Sequence, residues 1–289
     1  MITIEEKAYA KLNLTLDILG KRDDGYHDLA SVMHPISLCD ELEITLGTGE
    51  PWQVTTDWEH IPHGRKNLAY KAAKLFFDKA QKDPDGMTIT ITKRIPDQGG
   101  LGGGSADAGA VLRGLNRHYD NLFTAKELEA MALELGSDVP FCIRNRTVMA
   151  KGRGEMLAGL HTMPEAYYVL VQPEFKVSTP ELFQKVDDFP FPARPDQGEM
   201  ILGLEEGNLI KISKNLLNVF EYVLLPDHPE LEKIENALDN CGAMGTSMTG
   251  SGSVMFGVFH EFGYAAMASM ALMKVGYKTF MATNLPVDE

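Results

Sequence analysis

The sequence of 289 residues predicts an α/β (α+β) protein of two domains. Short stretches that alternate apolar and polar residues, as half-buried strands do, are interleaved with segments that repeat apolar residues at helical spacing. The order of these elements changes in the second half, so we place a boundary near residue 160 and expect domains of residues 1–160 and 161–289. An apolar content of 44% allows a substantial core.

Strand patterns predominate in the first half. Residues 3–20 predict two strands in succession, the second of which alternates Leu12, Leu14 and Leu16 with polar residues. Further strand-like stretches cover residues 27–36, 40–46, 52–56, 87–93 and 147–152. Helices are predicted from the cap Asn67 to about residue 82, from Ser105 onward, and from a capping box of Thr124 and Glu127 to Gly136.

The second half predicts strands at residues 167–172, 243–248, 253–260 and 277–283, with helices after the first strand and between the last two. This is the βαββαβ order of a ferredoxin-like domain, with extra helices inserted after the first helix. Thr179 and Pro180 form a helix start, with Thr179 as the cap. Met267, Met270 and Met273 recur at helical spacing, and we interpret them as core residues.

The charge balance excludes several classes of partner. With 27 basic and 41 acidic residues the net charge is −14, and the sequence has no basic runs. Nucleic acid and anionic membranes are therefore not expected as partners. The first residues lack the apolar core of a signal peptide, and the most apolar stretch, residues 265–273, is too short to span a bilayer. Three isolated cysteines fit a reduced, cytoplasmic protein.

A glycine-rich segment at residues 95–109 lies between the strand at residues 87–93 and the helix that Ser105 opens. Five of the six residues 99–104 are glycine, which suits a backbone that curls and lets a ligand approach closely. A helix start carries unpaired N–H groups and partial positive charge. The order of strand, loop and helix therefore predicts a polyphosphate site.

Familiar glycine loops fit this segment poorly. Gly99 and Gly104 have the spacing of a Walker loop, but Ser105 stands where that loop requires lysine. The dinucleotide pattern could start at Gly100, but its third glycine would again fall on Ser105. Protein-kinase signatures such as His-Arg-Asp do not occur in the sequence. A glycine-rich turn without a ligand is the alternative interpretation.

Three further groups of residues are candidates for a site. Lys11 and Asn13 share the polar face of one strand and project together, although a solvated face would look the same. Tyr26 and His27 follow a turn and could stack on and hydrogen-bond a planar ring, or be ordinary surface. Asp138 lies between a helix end and a proline, a rigid position for a catalytic carboxylate and also a common one for a capping aspartate.

These motifs resemble those of a known superfamily. Residues 10–14, 96–106 and 247–253 are similar to the three motifs of the galactokinase, homoserine, mevalonate and phosphomevalonate kinase (GHMP) superfamily. Residues 20–27, 102–105 and 136–141 resemble the branch of it that serves the non-mevalonate isoprenoid pathway. Several spaced motifs in the same order over nearly the whole chain are more specific than any one of them.

The resemblance implies a small-molecule kinase that uses ATP and Mg²⁺ and phosphorylates the tertiary 2-hydroxyl of a cytidyl diphosphate sugar alcohol. It implies an N-terminal domain like domain 2 of ribosomal protein S5 and a ferredoxin-like C-terminal domain. By the same resemblance, Asp138 takes the hydroxyl proton, and Lys11 holds this aspartate ionised and orients the hydroxyl. The metal ligands are not assigned, and the expected assembly is a monomer or a homodimer.

The resemblance also implies binding residues. Tyr26 and Phe183 correspond to aromatic residues that sandwich the cytosine, His27 to the residue that hydrogen-bonds its edge, and Asn13 to a residue that holds the methylerythritol part. On the nucleotide side, the residues expected near the adenosine are Asn67, Leu68 and Lys93. The remaining ATP-binding residues implied are Pro96, Asp97, Gln98, Gly99, Gly100, Leu101, Gly102, Gly103, Gly104, Ser105, Ala106 and Asp107.

Three positions depart from the pattern of the superfamily. Gln98 stands where a small residue is usual, Ala106 replaces a serine, and Gly109 replaces an alanine. Two alternatives therefore stay open, namely another small-molecule kinase, acting on mevalonate or homoserine, and a nucleotide-binding protein without catalysis. The implied cytosine sandwich favours a cytidyl substrate over the first alternative, and the presence of both implied catalytic residues argues against the second.

Overall fold

The structure is a computed structural model that describes residues 1–187 and 189–285. The predicted second domain, residues 161–289, thus includes Asp188 and residues 286–289, which lie outside the described residues. The chain divides into two compact units, each built from separate segments. The first unit comprises Met1–Ala10, Cys39–Ile95 and Gly102–Asn145, and the second comprises Lys11–Leu38, Pro96–Leu101 and Arg146–Glu289. The division near residue 160 stays a prediction.

Strands and helices are interleaved along the chain, as the sequence predicted. The strands are β1 (Ile2–Lys21), β2 (His27–Leu46), β3 (Gln53–Thr56), β4 (Met87–Thr92), β5 (Val148–Gly152), β6 (Met156–Gly159), β7 (Tyr167–Gln172), β8 (Leu217–Asn218), β9 (Gly245–Met248), β10 (Met255–Phe259) and β11 (Lys278–Thr283). The α-helices are α1 (Leu68–Ala80), α2 (Gly103–His118), α3 (Ala125–Leu135), α4 (Val139–Arg144), α5 (Thr179–Lys185), α6 (Gln197–Glu205), α7 (Leu209–Lys214), α8 (Phe220–Leu224), α9 (Glu230–Asn240) and α10 (Phe262–Lys274).

The first two strands are longer than predicted. β1 is one continuous strand of 20 residues, where the sequence predicted two strands in succession. Neither glycine nor proline lies between Ile2 and Leu19, so nothing in this segment favours a turn. β2 likewise joins the stretches predicted at residues 27–36 and 40–46. Both strands pass through the two units.

The first unit packs helices against a small sheet. Within it, β4 pairs antiparallel with the end of β2, with Leu42 opposite Ile91, and parallel with β3. The predicted caps are confirmed, because Asn67 Oδ1 accepts a hydrogen bond from Ala69 N at 2.9 Å and Thr124 forms a capping box with Glu127. Helix α2 begins at Gly103, two residues before the predicted start at Ser105.

The second unit contains a four-stranded antiparallel sheet in the order β11-β7-β10-β9. This is the strand order of a βαββαβ domain, and helices α5 to α9 occupy the place of its first helix, as predicted. Helix α5 begins at Thr179 with Ser178 as the cap, one residue earlier than expected. In the same unit, β5 pairs antiparallel with the start of β2 and with β6, and β8 pairs parallel with the middle of β1.

The interpretation of the three methionines of α10 as core residues is wrong. Met267, Met270 and Met273 are 69%, 58% and 53% exposed. The helix buries its opposite face, which carries Ala265, Ala268, Ser269 and Leu272. A spacing of three residues defines a helix stripe but does not identify which stripe is buried.

No helix in the part of the chain that the structure describes is long and apolar enough to cross a membrane. Among the described residues, Cys39, Cys142 and Cys241 form no disulfide bond.

Candidate active site

A buried polar network in the second unit contains two of the predicted site residues. Lys11 and Asn13 are each 4% exposed, so the face of β1 that carries them is covered rather than solvated. Lys11 Nζ donates to Asn13 Oδ1 at 2.5 Å, and Asn13 Nδ2 donates to Ser31 Oγ on β2 at 2.7 Å. Ser31 Oγ in turn donates to the carbonyl of Thr15 at 2.6 Å. These bonds fix both side chains, because buried polar groups are costly to leave unpaired.

Thr249 is a site residue that sequence reasoning missed. Thr249 is fully buried. Its Oγ1 accepts a hydrogen bond from the backbone N–H of Asn13 at 3.2 Å and donates one to the carbonyl oxygen of Gly100 at 3.3 Å. The backbone N–H of Lys11 donates to Leu101 O at 3.1 Å. The three motifs of the superfamily, residues 10–14, 96–106 and 247–253, therefore meet in one network. The late motif was visible in the sequence, but none of its residues had been assigned to the site.

The conformation of the glycine loop explains two of its glycines. Gly100 has a φ of +78°, and a Cβ added there would lie 2.0 Å from the carbonyl oxygen of Thr249. Gly102 has a φ of +74° and is the N-cap of α2. Both positions favour glycine over any residue with a side chain. Glycine at these positions thus has a role in the fold as well as any role toward a ligand.

The start of α2 has the features that a phosphate group requires. A Cβ added at Gly104 would meet no atom within 4 Å, so the first turn borders open space. Ser105 follows at a half-buried position. The first N–H groups of a helix have no partner within it, and the helix dipole is positive there. This end of α2 therefore fits an anionic polyphosphate.

The residues at the loop entrance differ in exposure. Pro96 and Gly99 are buried, while Gln98 is exposed with a φ of +55°. Asp97 accepts a hydrogen bond through its carbonyl from Gln172 Nε2 at 3.3 Å. The long side chain of Gln98 thus extends to solvent at a tight turn. Residues with a side chain rarely adopt this left-handed conformation, so the departure at this position has a backbone cost.

Asp138 is the N-cap residue of the short helix α4, whose second residue is Pro140. The sequence predicted a proline-fixed turn here, whereas the proline stands in the first turn of a helix, where its missing N–H needs no partner. The Asp138 side chain is half-buried and makes no capping hydrogen bond. Within residues 1–187 and 189–285, its carboxylate makes no hydrogen bond, so it is available to a ligand.

Gly109 lets α4 pack closely on α2 in the first unit. A Cβ added at this position would lie 2.6 Å from Cys142 Cβ, so an alanine would require the two helices to separate. Ala106, the other departure in α2, is 1% exposed. Its methyl group is therefore part of the packed side of the helix. These two departures belong to the packing of the helix that carries the glycine loop.

Lys93, which is expected near the adenosine, lies at the centre of a buried ionic triad. It is 6% exposed, its Nζ donates to Asp107 Oδ2 at 2.7 Å, and it also forms an ion pair with Asp40. Asp40 Oδ1 accepts from the N–H groups of Arg94 and Ile95, at 2.5 and 2.8 Å. The triad thus ties β2, the end of β4 and the second turn of α2 together, immediately beside the glycine loop.

The charge balance of the triad is unusual. Two carboxylates share one ammonium, and Asp107 Oδ1 is buried without a hydrogen-bond partner among the described residues. Burial, with a smaller contribution from Asp40, raises the pKa of Asp107 to about 7 against the opposing effect of Lys93. The same two carboxylates outweigh burial at Lys93 and raise the pKa of its ammonium.

Asn67, the second residue expected near the adenosine, also uses its side chain within the fold. Its Oδ1 caps α1, and its Nδ2 donates to Pro62 O at 2.8 Å. Leu68 is the first residue of α1 and is half-buried. A contact of these residues with a nucleotide stays a prediction, and any polar contact from Lys93 or Asn67 would have to involve the backbone or rearrange these bonds.

The aromatic residues expected to hold a base lie in the second unit. The His27 ring is 5.0 Å from the Phe183 ring at an interplanar angle of 31°, and Phe183 packs edge-on against Phe220 at 5.0 Å. Tyr26 is 55% exposed, and the guanidinium of Arg153 lies 4.8 Å from its ring centroid. Phe183 is therefore anchored to the core, while Tyr26 presents its ring at the surface.

Comparison with known proteins agrees with this architecture. The family described as GHMP kinases N terminal domain matches residues 67–146, and that described as GHMP kinases C terminal matches residues 200–272. The crystal structure of a 4-(cytidine 5'-diphospho)-2C-methyl-D-erythritol kinase superposes with a TM-score of 0.82 at 33% identity, covering 97% of this chain and 98% of that one. A homoserine kinase from Cytophaga hutchinsonii shares the fold, with a TM-score of 0.74 at 18% identity over 98% of this chain and 94% of that one.

The fold and the site thus define a small-molecule kinase of the GHMP class. A 4-diphosphocytidyl-2-C-methyl-D-erythritol kinase of Caldicellulosiruptor saccharolyticus is 40% identical over 98% of this chain and 97% of its own length. One from Clostridium tetani is 41% identical over 88% of this chain and 90% of its own length. The chain belongs to the 4-diphosphocytidyl-2-C-methyl-D-erythritol kinase family.

Proposed function

We propose that this chain transfers the γ-phosphoryl group of ATP to the 2-hydroxyl of 4-diphosphocytidyl-2-C-methyl-D-erythritol, a step in non-mevalonate isoprenoid precursor synthesis. The observation that carries the proposal is 40% identity, over 98% of the chain, to a relative that bears the name of this kinase. The buried network of Lys11, Asn13 and Thr249 supports it, because this network joins the three motifs of the superfamily.

ATP would bind through its phosphates at the start of α2. The net charge of −14 repels a polyanion, so the attraction has to be local, from the N–H groups and dipole of the helix. Mg²⁺, when bound, offsets phosphate charge in the transition state. The described residues contain no group of three or more His, Cys, Asp or Glu side chains placed to hold a metal ion. We therefore infer that Mg²⁺ enters the site bound to the phosphates of ATP and that few protein side chains coordinate it.

In the proposed reaction Asp138 is the general base and Lys11 orients the acceptor hydroxyl. The hydroxyl proton passes to the Asp138 carboxylate as the oxygen bonds to the γ-phosphorus, and the bond from that phosphorus to the bridging oxygen of ADP breaks. The carboxylate of Asp138 makes no capping hydrogen bond, which supports its role as the general base. The bond from Lys11 to Asn13 supports the role of Lys11, because it fixes the direction of the ammonium group. No covalent intermediate on the protein is needed.

The cytosine would bind between Tyr26 and Phe183, with its edge toward His27. The exposed ring of Tyr26 supports this arrangement, since base stacking requires an accessible aromatic face, and the packing of Phe183 against Phe220 holds the second ring in place. Arg153, beside Tyr26, adds a cation near the place where a nucleotide diphosphate would lie. A cytoplasmic location is part of the proposal, supported by the need for ATP and by three cysteines that form no disulfide bond within the described part of the chain. A monomer or homodimer remains the expected assembly.

The test is the release of ADP with three alcohols, namely the cytidyl substrate, mevalonate and homoserine. The proposal predicts release with the cytidyl substrate alone. Asp138→Asn should lower kcat by at least about a hundredfold with little change in substrate affinity, the loss expected for a positioned base. Asp78→Asn, in an exposed ion pair on α1, is the matched control and should leave kcat unchanged. Near-normal turnover in Asp138→Asn would remove this residue from the mechanism.

A further inference from the structure

The carboxylate of Asp187 binds two side chains next to the predicted base-binding site. Its Oδ1 lies 2.6 Å from Nε2 of His27, and its Oδ2 forms an ion pair with Lys21. Asp187 follows helix α5, which carries Phe183, and the Phe183 ring contacts the His27 ring. His27 is 8% exposed. Asp187 therefore holds His27 from one side while Phe183 packs against its face.

The protonation of this pair follows from its contacts. The hydrogen bond from Lys21, followed by that from His27, lowers the pKa of Asp187, so its carboxylate is ionised near neutral pH. An ionised carboxylate only accepts hydrogen bonds. At 2.6 Å, the proton of the bond must lie on Nε2 of His27. In neutral imidazole the other nitrogen, Nδ1, is then an acceptor.

The acceptor at Nδ1 is not used within the described part of the protein, where no residue hydrogen-bonds to it. Pyrimidine bases differ in the group that such an acceptor would meet. Cytosine presents an exocyclic N4 amine, which donates, whereas uracil-type bases present an O4 carbonyl, which accepts. A fixed acceptor therefore favours the binding of cytosine and opposes the binding of a uracil-type base.

We propose that Asp187 is a positioning residue that fixes the Nε2–H tautomer of His27, so that Nδ1 selects a pyrimidine with an exocyclic amine over one with a carbonyl. The inference rests on the proposed function, in that it places the base beside His27. Lys21 contributes by neutralising the second oxygen of the carboxylate, which keeps Asp187 ionised and in place. The discrimination thus originates one residue away from the base.

The first test compares CDP and UDP as competitive inhibitors against the cytidyl substrate at pH 8. The wild type should bind CDP about ten- to a hundredfold more tightly than UDP, the range expected for a base-edge hydrogen bond. Asp187→Asn should bring this ratio to within about threefold of unity, because an amide can accept from or donate to Nε2 and so permits both tautomers. Asp227→Asn, which removes a comparable exposed pair with Lys185 at 2.8 Å, should leave the ratio unchanged.

The second test reads the tautomer directly in the wild-type protein and uses a variant only to assign the signals of His27. Long-range ¹H–¹⁵N spectra of the protein labelled at its eight histidines, with His27 assigned from His27→Gln, should show Nε2 protonated and Nδ1 unprotonated at pH 8. A protonated Nδ1, or an unchanged CDP/UDP ratio in Asp187→Asn, would overturn the inference. Failure of the proposed function is separate, because the wild type would then release no ADP with the cytidyl substrate.

Discussion

Replacing Lys93 with methionine removes the one cation of the buried triad and leaves two carboxylates facing each other. The Asp40 and Asp107 side chains are 0% and 3% exposed, so water cannot replace the lost ammonium. Removing one partner from a buried ion pair costs about 3–5 kcal/mol, because an uncompensated charge remains. Asp107 can reduce this cost by taking up a proton, since its pKa already lies at about 7 and would rise without Lys93.

Urea denaturation followed by far-UV circular dichroism measures the effect. At pH 8 we expect Lys93→Met to lower the free energy of unfolding by about 3–5 kcal/mol, and at pH 5.5 by distinctly less, because Asp107 is protonated there. Lys79→Met is the matched control, since Lys79 forms an exposed pair with Glu134 in the same unit and should change stability by at most about 1 kcal/mol. Equal stability of the two variants at pH 8 would refute the assignment of the triad as a buried ionic centre.

Two further predictions concern Asp107 and Phe183. Because the pKa of Asp107 is raised to about 7 in the folded protein, its contribution to stability is complete below its unfolded value of about 4 and is lost as the pH rises through 7. The stability of the wild type relative to Asp107→Asn should therefore fall by a few kcal/mol, on the order expected for such a shift, between pH 4 and 8. A constant difference in urea titrations over this range would contradict the raised pKa. Phe183→Ala should weaken the binding of the cytidyl substrate by about 1–3 kcal/mol, the range for base stacking on an aromatic ring, without changing the KM for ATP. Phe262→Ala, 60% exposed, is its control, and an unchanged KM for the substrate in Phe183→Ala would remove Phe183 from the base site.

The order of the elements was predictable because local chemistry determines it. The cap at Asn67, the capping box at Thr124 and the ferredoxin-like order that includes β7, β9, β10 and β11 were each visible as short-range patterns. The long strand β1 was predicted as two strands, since alternation shows that a strand exists but gives no reliable end. The exposed methionines of α10 show the same limit for helices, whose buried stripe depends on what the rest of the fold provides.

Within the site, the motifs were predictable and the partners were not. Lys11 and Asn13 were identified from one strand, but the bonds of Asn13 to Ser31 and Thr249 join residues 18 and 236 positions apart. Lys93 was expected at the nucleotide, whereas Asp40 and Asp107 pair with it through contacts that no local pattern encodes. The role implied for Asp138 remains a prediction that Asp138→Asn tests, and the roles implied for the loop residues also remain predictions.

The identity of the product tests the proposed reaction most directly. After incubation of the wild type with ATP and the cytidyl substrate, ³¹P and ¹H NMR of the purified product would locate the new phosphate group. We expect one phosphomonoester on the 2-hydroxyl, formed in equal amount to ADP. A phosphate on another hydroxyl, or ADP with inorganic phosphate and unchanged cytidyl compound, would contradict the proposed reaction.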